Sequence, residues 1–342
     1  LTSDAVRIFF RQGEILPEKF HVHLADGYES DFIDTLQRLL HRSVSLTCGD
    51  IPKNRDYQVL VAGRPTGEFL DASSRLDTLI IPWAGVSERT ATLMRDYPHV
   101  RVHNIHHNAG AAAEMALALM LAAAKKLIPA HLELRDNDWS IRYQPDASIL
   151  IYGSRILILG WGSIGRRVGD VCRAMGAEVS GIRRRADRGD ADSGIFPPDR
   201  LHSMLPETDI LIVCLPLTPS TRGMIGDSEL SLMPRGAVIV NVARGAVICE
   251  EPLYRHLSNG SIGAAGLDVW YSYPETAEQR TSTPPSAYPF GELENVVMSP
   301  HRGGAWGVNE LERLRMDYLA DSINACARGE SPQWRVDLDE GY

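Results

Sequence analysis

Arg155-Ile-Leu-Ile-Leu-Gly160-Trp-Gly162-Ser-Ile-Gly165 is the stretch that decides the fold. Its apolar run, residues 156–159, predicts a strand buried on both faces, and the run passes directly into Gly-x-Gly-x-x-Gly. Gly160 permits a tight turn, Gly162 lets backbone approach a pyrophosphate, and Gly165 lets the next helix lie close to the strand. That helix, expected over 163–175 and opening with Ser163 and Ile164, aims its free N–H groups and positive dipole end at the phosphates. A second strand at 178–182 completes a unit of about 30 residues, the context that separates a dinucleotide-binding motif from a chance glycine turn.

The chain has 342 residues, which suits two domains rather than one core. At 44% hydrophobic and 23% charged it reads as a soluble globular protein. A net charge of -9 argues against a nucleic-acid partner, while a few local arginines still suit a small anionic substrate. Five cysteines lie scattered with no C-x-x-C pair, so neither a zinc site nor a disulfide framework is expected; free thiols fit a cytoplasmic protein. The most apolar run, 109–124, is broken by Glu114, and no membrane partner is expected.

Strand-like runs at 6–10, 44–47, 59–62, 79–81 and 100–103, with a helical pattern through Phe32, Ile33, Leu36, Leu39 and Leu40, predict a first small parallel sheet. It has no phosphate-loop glycines, so it is expected to contact substrate. Residues 109–131 read as one long helix, apolar around most of its circumference and therefore buried on more than one side. With 132–154 it forms a candidate dimerisation arm, about 110–154, and a homodimer is expected. From 155 to 299, strands at 155–159, 178–182, 210–214, 237–242, 264–268 and 296–298 alternate with helices at 163–175, 227–233 and 250–258, a doubly wound sheet of six strands. An amphipathic helix at 309–327 follows Pro300 and returns to the first domain. The expected division is 1–108 with 301–342 for the substrate domain and 109–300 for the dinucleotide-binding domain.

Four segments fall at the carboxyl ends of predicted strands, where ligands bind in open α/β sheets. They are Leu215-Pro216-Leu-Thr-Pro-Ser-Thr221, Asn241-Val242-Ala243-Arg244-Gly245, Gly266-Leu-Asp268-Val and Ser299-Pro-His301-Arg302-Gly303-Gly304. In this order, after the glycine loop, they resemble the D-isomer-specific 2-hydroxyacid dehydrogenase family. The resemblance implies an α/β chain of two doubly wound parallel-sheet domains, with a Rossmann domain inserted in a discontinuous flavodoxin-like substrate domain. It also implies hydride transfer between a nicotinamide cofactor and a 2-oxo/2-hydroxy acid.

On that likeness Arg244 binds the substrate carboxylate and polarises its carbonyl, work that suits a planar guanidinium fork. His301 is the acid/base, since imidazole works in both directions near neutrality. The family's glutamate before a proline, five positions after Asp268, is here Tyr273, and a neutral phenol cannot stabilise imidazolium as a carboxylate does. Tyr273 is thus the candidate partner of His301, with Glu275 and Glu278 as alternatives. Asp268 matches the residue that contacts the nicotinamide carboxamide, or else caps its strand. Leu215, Pro216, Thr221, Val242, Ala243 and Gly303 complete the cofactor loops. Trp83, Ala84, Gly85 and Val86 match the loop that offers N–H groups to the substrate carboxylate, and Asn108, with His106 and His107, is expected to line the cleft. Arg64 and Arg302 could favour an extra anionic group. The trio His103, His106 and His107 lacks a matching carboxylate or cysteine, so no metal is expected.

NAD enzymes place an acidic residue at the end of the second strand to hold the ribose 2′-hydroxyl. This chain has Arg183-Arg184-Arg185 there, which favours NADP, with NAD the alternative. Two other readings stay open: hydride transfer involving formate, phosphite or a phosphono acid, and a dinucleotide-sensing binding protein comparable to the family's corepressors.

Overall fold

Short runs of Val, Ile and Leu make nearly every strand, as expected for parallel sheets covered on both faces. The computed structural model describes residues 19–145, 148–186, 188–191, 193–304 and 307–338. The strand expected at 6–10 lies outside the described residues. In chain order the elements begin with β1 (Phe20–Leu24), α1 (Ser30–Leu39), β2 (Val44–Cys48), β3 (Val59–Val61), α2 (Gly67–Asp71), β4 (Thr78–Ile81), α3 (Glu88–Met94) and β5 (Arg101–Asn104). Next come α4 (Ala109–Ala124), α5 (Leu127–Arg135), β6 (Arg155–Leu159), α6 (Ser163–Ala174), β7 (Glu178–Ile182), α7 (Arg188–Ala191), β8 (Ile195–Phe196) and α8 (Leu201–Met204). The chain continues with β9 (Ile210–Val213), α9 (Asp227–Leu232), β10 (Ala237–Asn241), α10 (Glu250–Ser258), β11 (Ile262–Leu267), β12 (Val296–Met298) and α11 (Asn309–Ala327).

The described chain divides into two compact units: residues up to Ile105 with those from Arg313 onward, and His106–Glu312. In the first, five parallel strands run β2-β1-β3-β4-β5, the flavodoxin-like order. Val22, Leu24, Leu36 and Ile80 pack there with Leu319 and Ile323 of α11, which is how the end of the chain belongs to the first sheet.

In the second unit seven strands run β12-β11-β10-β9-β6-β7-β8. From β8 to β11 this is the doubly wound dinucleotide-binding order, with β12 added beyond β11. The expected six strands become seven because two residues, Ile195 and Phe196, pair with Gly181 and Ile182. Such a run is too short to produce a periodic pattern.

The single helix expected at 109–131 is two helices. Ala124 ends α4, Lys126 turns left-handed at φ 49, and α5 leaves in a new direction. The returning chain fixes this end: Ile149 donates its N–H to the Ala124 carbonyl (2.9 Å), and Lys125 Nζ donates to the Ile149 carbonyl (2.7 Å). Burial on more than one side holds for α4, whose Ala116, Leu119 and Met120 join Val168 of α6 and Val240 of β10 in one apolar cluster. Gly266 on β11 allows that approach, since a Cβ there would lie 2.8 Å from Leu119 Cβ. Among the described residues no helix is long and apolar enough to cross a membrane.

Candidate active site

The glycine loop leaves β6 and turns at Gly160, whose φ of 100 favours glycine. A Cβ on Gly160 would lie 2.8 Å from the Cys214 carbonyl carbon and oxygen, so this residue also lets the loop after β9 come alongside. A Cβ on Gly165 would meet the Gly160 carbonyl oxygen at 2.2 Å; its absence brings α6 down onto the strand. Gly162 differs, for nothing lies within 4 Å of its Cβ position. It is the N-cap of α6 and supplies no side-chain cap, so the helix begins with unsatisfied N–H groups facing open space. Two filled glycine positions and one open position above a helix N-terminus fit a dinucleotide pyrophosphate. The intervening Trp161 turns inward, where Gly169 and Gly181 make room for its ring and Arg173 lies over it at 5.0 Å.

Three strand ends bring the charged residues together. Arg244 follows β10; the Asn241 side chain braces the turn, donating to the Arg244 carbonyl (3.0 Å) and accepting from the Ala243 N–H (3.0 Å). Arg244 Nη1 donates to the Ala243 carbonyl (2.7 Å), and among the described residues no carboxylate forms an ion pair with this exposed side chain. Beyond β11, Trp270 packs its backbone against Gly245, where a Cβ would come within 2.3 Å of the Trp270 carbonyl oxygen. Its indole N–H donates to the Ser299 carbonyl beyond β12 (2.8 Å). The loops carrying Arg244, Tyr273 and His301 are thereby tied to one another.

Asp268 holds the third loop. It is 1% exposed, and its carboxylate accepts from the Ser299 hydroxyl, the Arg302 N–H (2.7 Å) and the Gly303 N–H (2.7 Å). The carboxylate carries out the strand-capping duty that was the alternative for this residue, its oxygens turned to the backbone that flanks His301. Gly303, expected among the cofactor residues, has the same inward duty: its N–H is used, and a Cβ would lie 2.7 Å from Asp268 Oδ2.

His301 stands exposed on this loop at φ 58, its ring 5.5 Å from that of Tyr273. Loss of solvent to the surrounding protein lowers its pKa below 6.5; the Arg244 cation lowers it further, while Asp268 opposes them. The same desolvation lowers Arg244 and raises the Tyr273 phenol. Tyr273 does not take over the glutamate's place by hydrogen bonding: its hydroxyl accepts the Trp270 N–H (3.0 Å). Glu275 and Glu278 are exposed, and Glu278 is held by its own backbone and Thr276.

Other expected cofactor residues divide. Val242 and Ala243 are buried beneath the site, and Leu215 and Pro216 follow β9. Thr221 faces its own turn, its hydroxyl donating to the Pro216 carbonyl (2.7 Å). Arg183 stands at the end of β7, paired with Asp190, and Arg184 is exposed beside it. Asn108 caps the position before α4, and its Nδ2 would lie 3.5 Å from a Cβ on Gly304.

In the first unit, Trp83, Ala84, Gly85 and Val86 follow β4. The Trp83 ring lies on Gly63, the Ala84 carbonyl accepts from Asn104 Nδ2 (2.7 Å), and Arg64 is exposed beside Gly63. Asp26 accepts the Gly63 N–H (2.9 Å) and escaped sequence reading, since a lone aspartate past a strand carries no motif. Among the described residues no group of three or more His, Cys, Asp or Glu side chains could hold a metal ion.

Residues 117–303 match the family profile described as D-isomer specific 2-hydroxyacid dehydrogenase, NAD binding domain. The glyoxylate reductase of Thermococcus gammatolerans is 33% identical over 84% of this chain and 85% of its own length. The D-3-phosphoglycerate dehydrogenase of Methanocaldococcus jannaschii is 29% identical over 81% of this chain, and the match spans about half, 51%, of that relative. A D-isomer specific 2-hydroxyacid dehydrogenase from Xanthobacter autotrophicus, solved in complex with NADPH and MES, superposes with a TM-score of 0.76 at 24% identity, covering 95% of this chain and 100% of that one.

Proposed function

The chain belongs to the D-isomer specific 2-hydroxyacid dehydrogenases, a family of oxidoreductases with an NAD-binding domain, and from that premise we propose that it reduces a 2-oxo acid. The observation that carries this reading is the convergence of Arg244, Tyr273 and His301 after three adjacent strands, on the same carboxyl edge of the sheet as the open glycine loop.

The nicotinamide, when bound, supplies the hydride. Arg244 has guanidinium donors left over from the Ala243 carbonyl, so it can take the substrate carboxylate in bidentate fashion and draw charge toward the carbonyl oxygen. His301 donates a proton from its imidazole to that oxygen in reduction and removes it in oxidation. Asp268 holds the loop that presents this ring, and Tyr273 flanks it without a charge. Trp83, Ala84, Gly85 and Val86 are proposed to receive the substrate carboxylate, with Asn108, Arg64 and Arg302 as further substrate contacts. NADP is the proposed cofactor, read from Arg183 and Arg184 where an acidic residue would select NAD. The protein is proposed to act as a homodimer, since Leu127, Leu132, Trp139, Tyr143, Leu150 and Tyr152 are exposed within one stretch of the second unit.

NADPH and NADH oxidation, measured against a panel of 2-oxo acids of differing size and charge, tests this. Turnover of at least one acid supports the proposal; failure of glyoxylate, pyruvate, hydroxypyruvate and bulkier or phosphonate-bearing acids with both cofactors overturns it. His301→Gln separates catalyst from sensor, for a catalyst loses turnover and keeps dinucleotide affinity.

A further inference from the structure

The end of β7 is fixed against the glycine loop. The Ile182 carbonyl accepts the N–H of Gly160 (2.9 Å) and of Trp161 (3.0 Å), so the next residue, Arg183, stands one position from the turn. The Arg183 N–H in turn donates to the Phe196 carbonyl at the end of β8 (3.0 Å). Its guanidinium is engaged: Nη2 meets Asp190 Oδ2 at 2.5 Å, with the two side chains 29% and 25% exposed, and the buried Nε has no hydrogen-bond partner. Asp190 rides on α7, immediately before the strand that holds Arg183 in place.

We infer that Asp190 is a specificity-determining residue, a built-in carboxylate that competes with a dinucleotide's 2′-phosphate for Arg183. The inference rests on the dinucleotide reading above and refines it. A 2′-phosphate arriving at Arg183 gathers two anions on one cation, and groups this protected from solvent are weakly screened by salt. A 2′-hydroxyl meets a pair whose charges already cancel. The arginines attract the phosphorylated cofactor while Asp190 penalises it, so preference is set by a repulsive element as well as an attractive one. Sequence reading weighed only the arginines, because the carboxylate lies seven positions downstream of its partner, beyond a turn.

The test is direct binding of NADPH and NADH, without substrate, by titration calorimetry on the full chain. Asp190→Asn is expected to tighten NADPH about tenfold and leave NADH within about twofold, the competing anion on the Arg183 guanidinium being removed. Arg183→Ala is expected to weaken NADPH and to abolish the gain from Asp190→Asn in the double variant. Asp190→Ser repeats the comparison should the asparagine variant fail to fold. If wild type binds both dinucleotides and neither Asp190 variant changes the ratio of their dissociation constants, the inference is wrong while the dinucleotide reading stands. An equal loss for both cofactors makes the ion pair structural and likewise overturns it. If wild type binds neither, both fall.

Discussion

His301 occupies left-handed backbone space, which costs a non-glycine residue roughly 1 kcal/mol, and the three bonds that Asp268 accepts around it offset that strain. His301→Gln should lower turnover by about 10²- to 10⁴-fold, the usual worth of a positioned acid/base, with dinucleotide binding retained in calorimetry. The pH profile follows from the missing carboxylate. Reduction needs imidazolium, and the solvent displaced by the surrounding protein together with Arg244 holds the His301 pKa below 6.5, so kcat/KM for reduction should fall as pH rises through a value under 6.5. Oxidation, which needs the neutral base, should rise through that same value. Tyr273→Glu should move both limbs upward; unchanged limbs would mean the titrating group is not His301. Arg244, His301 and Gly165 were legible in the sequence because each sits in a motif whose spacing fixes its strand end. For Thr221, Asp268 and Gly303 the motif gives position alone, and only the folded loops show the backbone bonds that hold each of them in place.

At the scale of elements, the β6–α6 junction makes two glycines separable by experiment. Gly165→Ala puts a Cβ against the Gly160 carbonyl oxygen, so α6 must move; stability should drop by about 1–3 kcal/mol in urea unfolding, and dinucleotide affinity with it. Gly162→Ala meets nothing within 4 Å at a φ of -98, so stability should hold within about 0.5 kcal/mol while affinity falls, because the methyl enters space meant for the pyrophosphate. Equal stability losses in the two variants would refute this division of labour. Long strands and strongly amphipathic helices such as α6 were visible from periodicity. The five-residue α2 and two-residue β8 were not, being too short to repeat, and the break after α4 was hidden because Lys125 and Lys126 are good helix formers overruled by the chain returning at Ile149.

For the whole molecule, the exposed run from α5 to Tyr152 bears on assembly. Tyr143 is 79% and Tyr152 73% exposed, surface that the proposed homodimer would cover. Sedimentation should give a dimer, and Leu132→Asp with Tyr143→Asp should give folded monomers; a monomeric wild type refutes the arm. A second property separates the two units, and it concerns acid. His23 on β1 and His103 on β5 are both fully buried in the first sheet, with pKa values lowered chiefly by loss of solvent. His103 Nδ1 is satisfied by the Gln333 carbonyl (3.1 Å), but its Nε2 is buried without a partner, so a second proton there would be an unpaired donor in the core. In the unfolded chain both histidines titrate near 6.5, hence below that pH the unfolded state binds protons that the folded state refuses. Their contribution is therefore intact above about pH 6.5 and drains away as pH falls through the lowered native values. Amide exchange at pH 7.5 and 5.5 should show β1 and β5 losing protection at the lower pH before β6 and β10 do. His103→Leu should flatten the pH dependence of β5 exchange, even though losing the bond to Gln333 costs about 1 kcal/mol at either pH. Parallel loss of protection in both sheets, or a slope unchanged by His103→Leu, would assign the acid sensitivity to other groups.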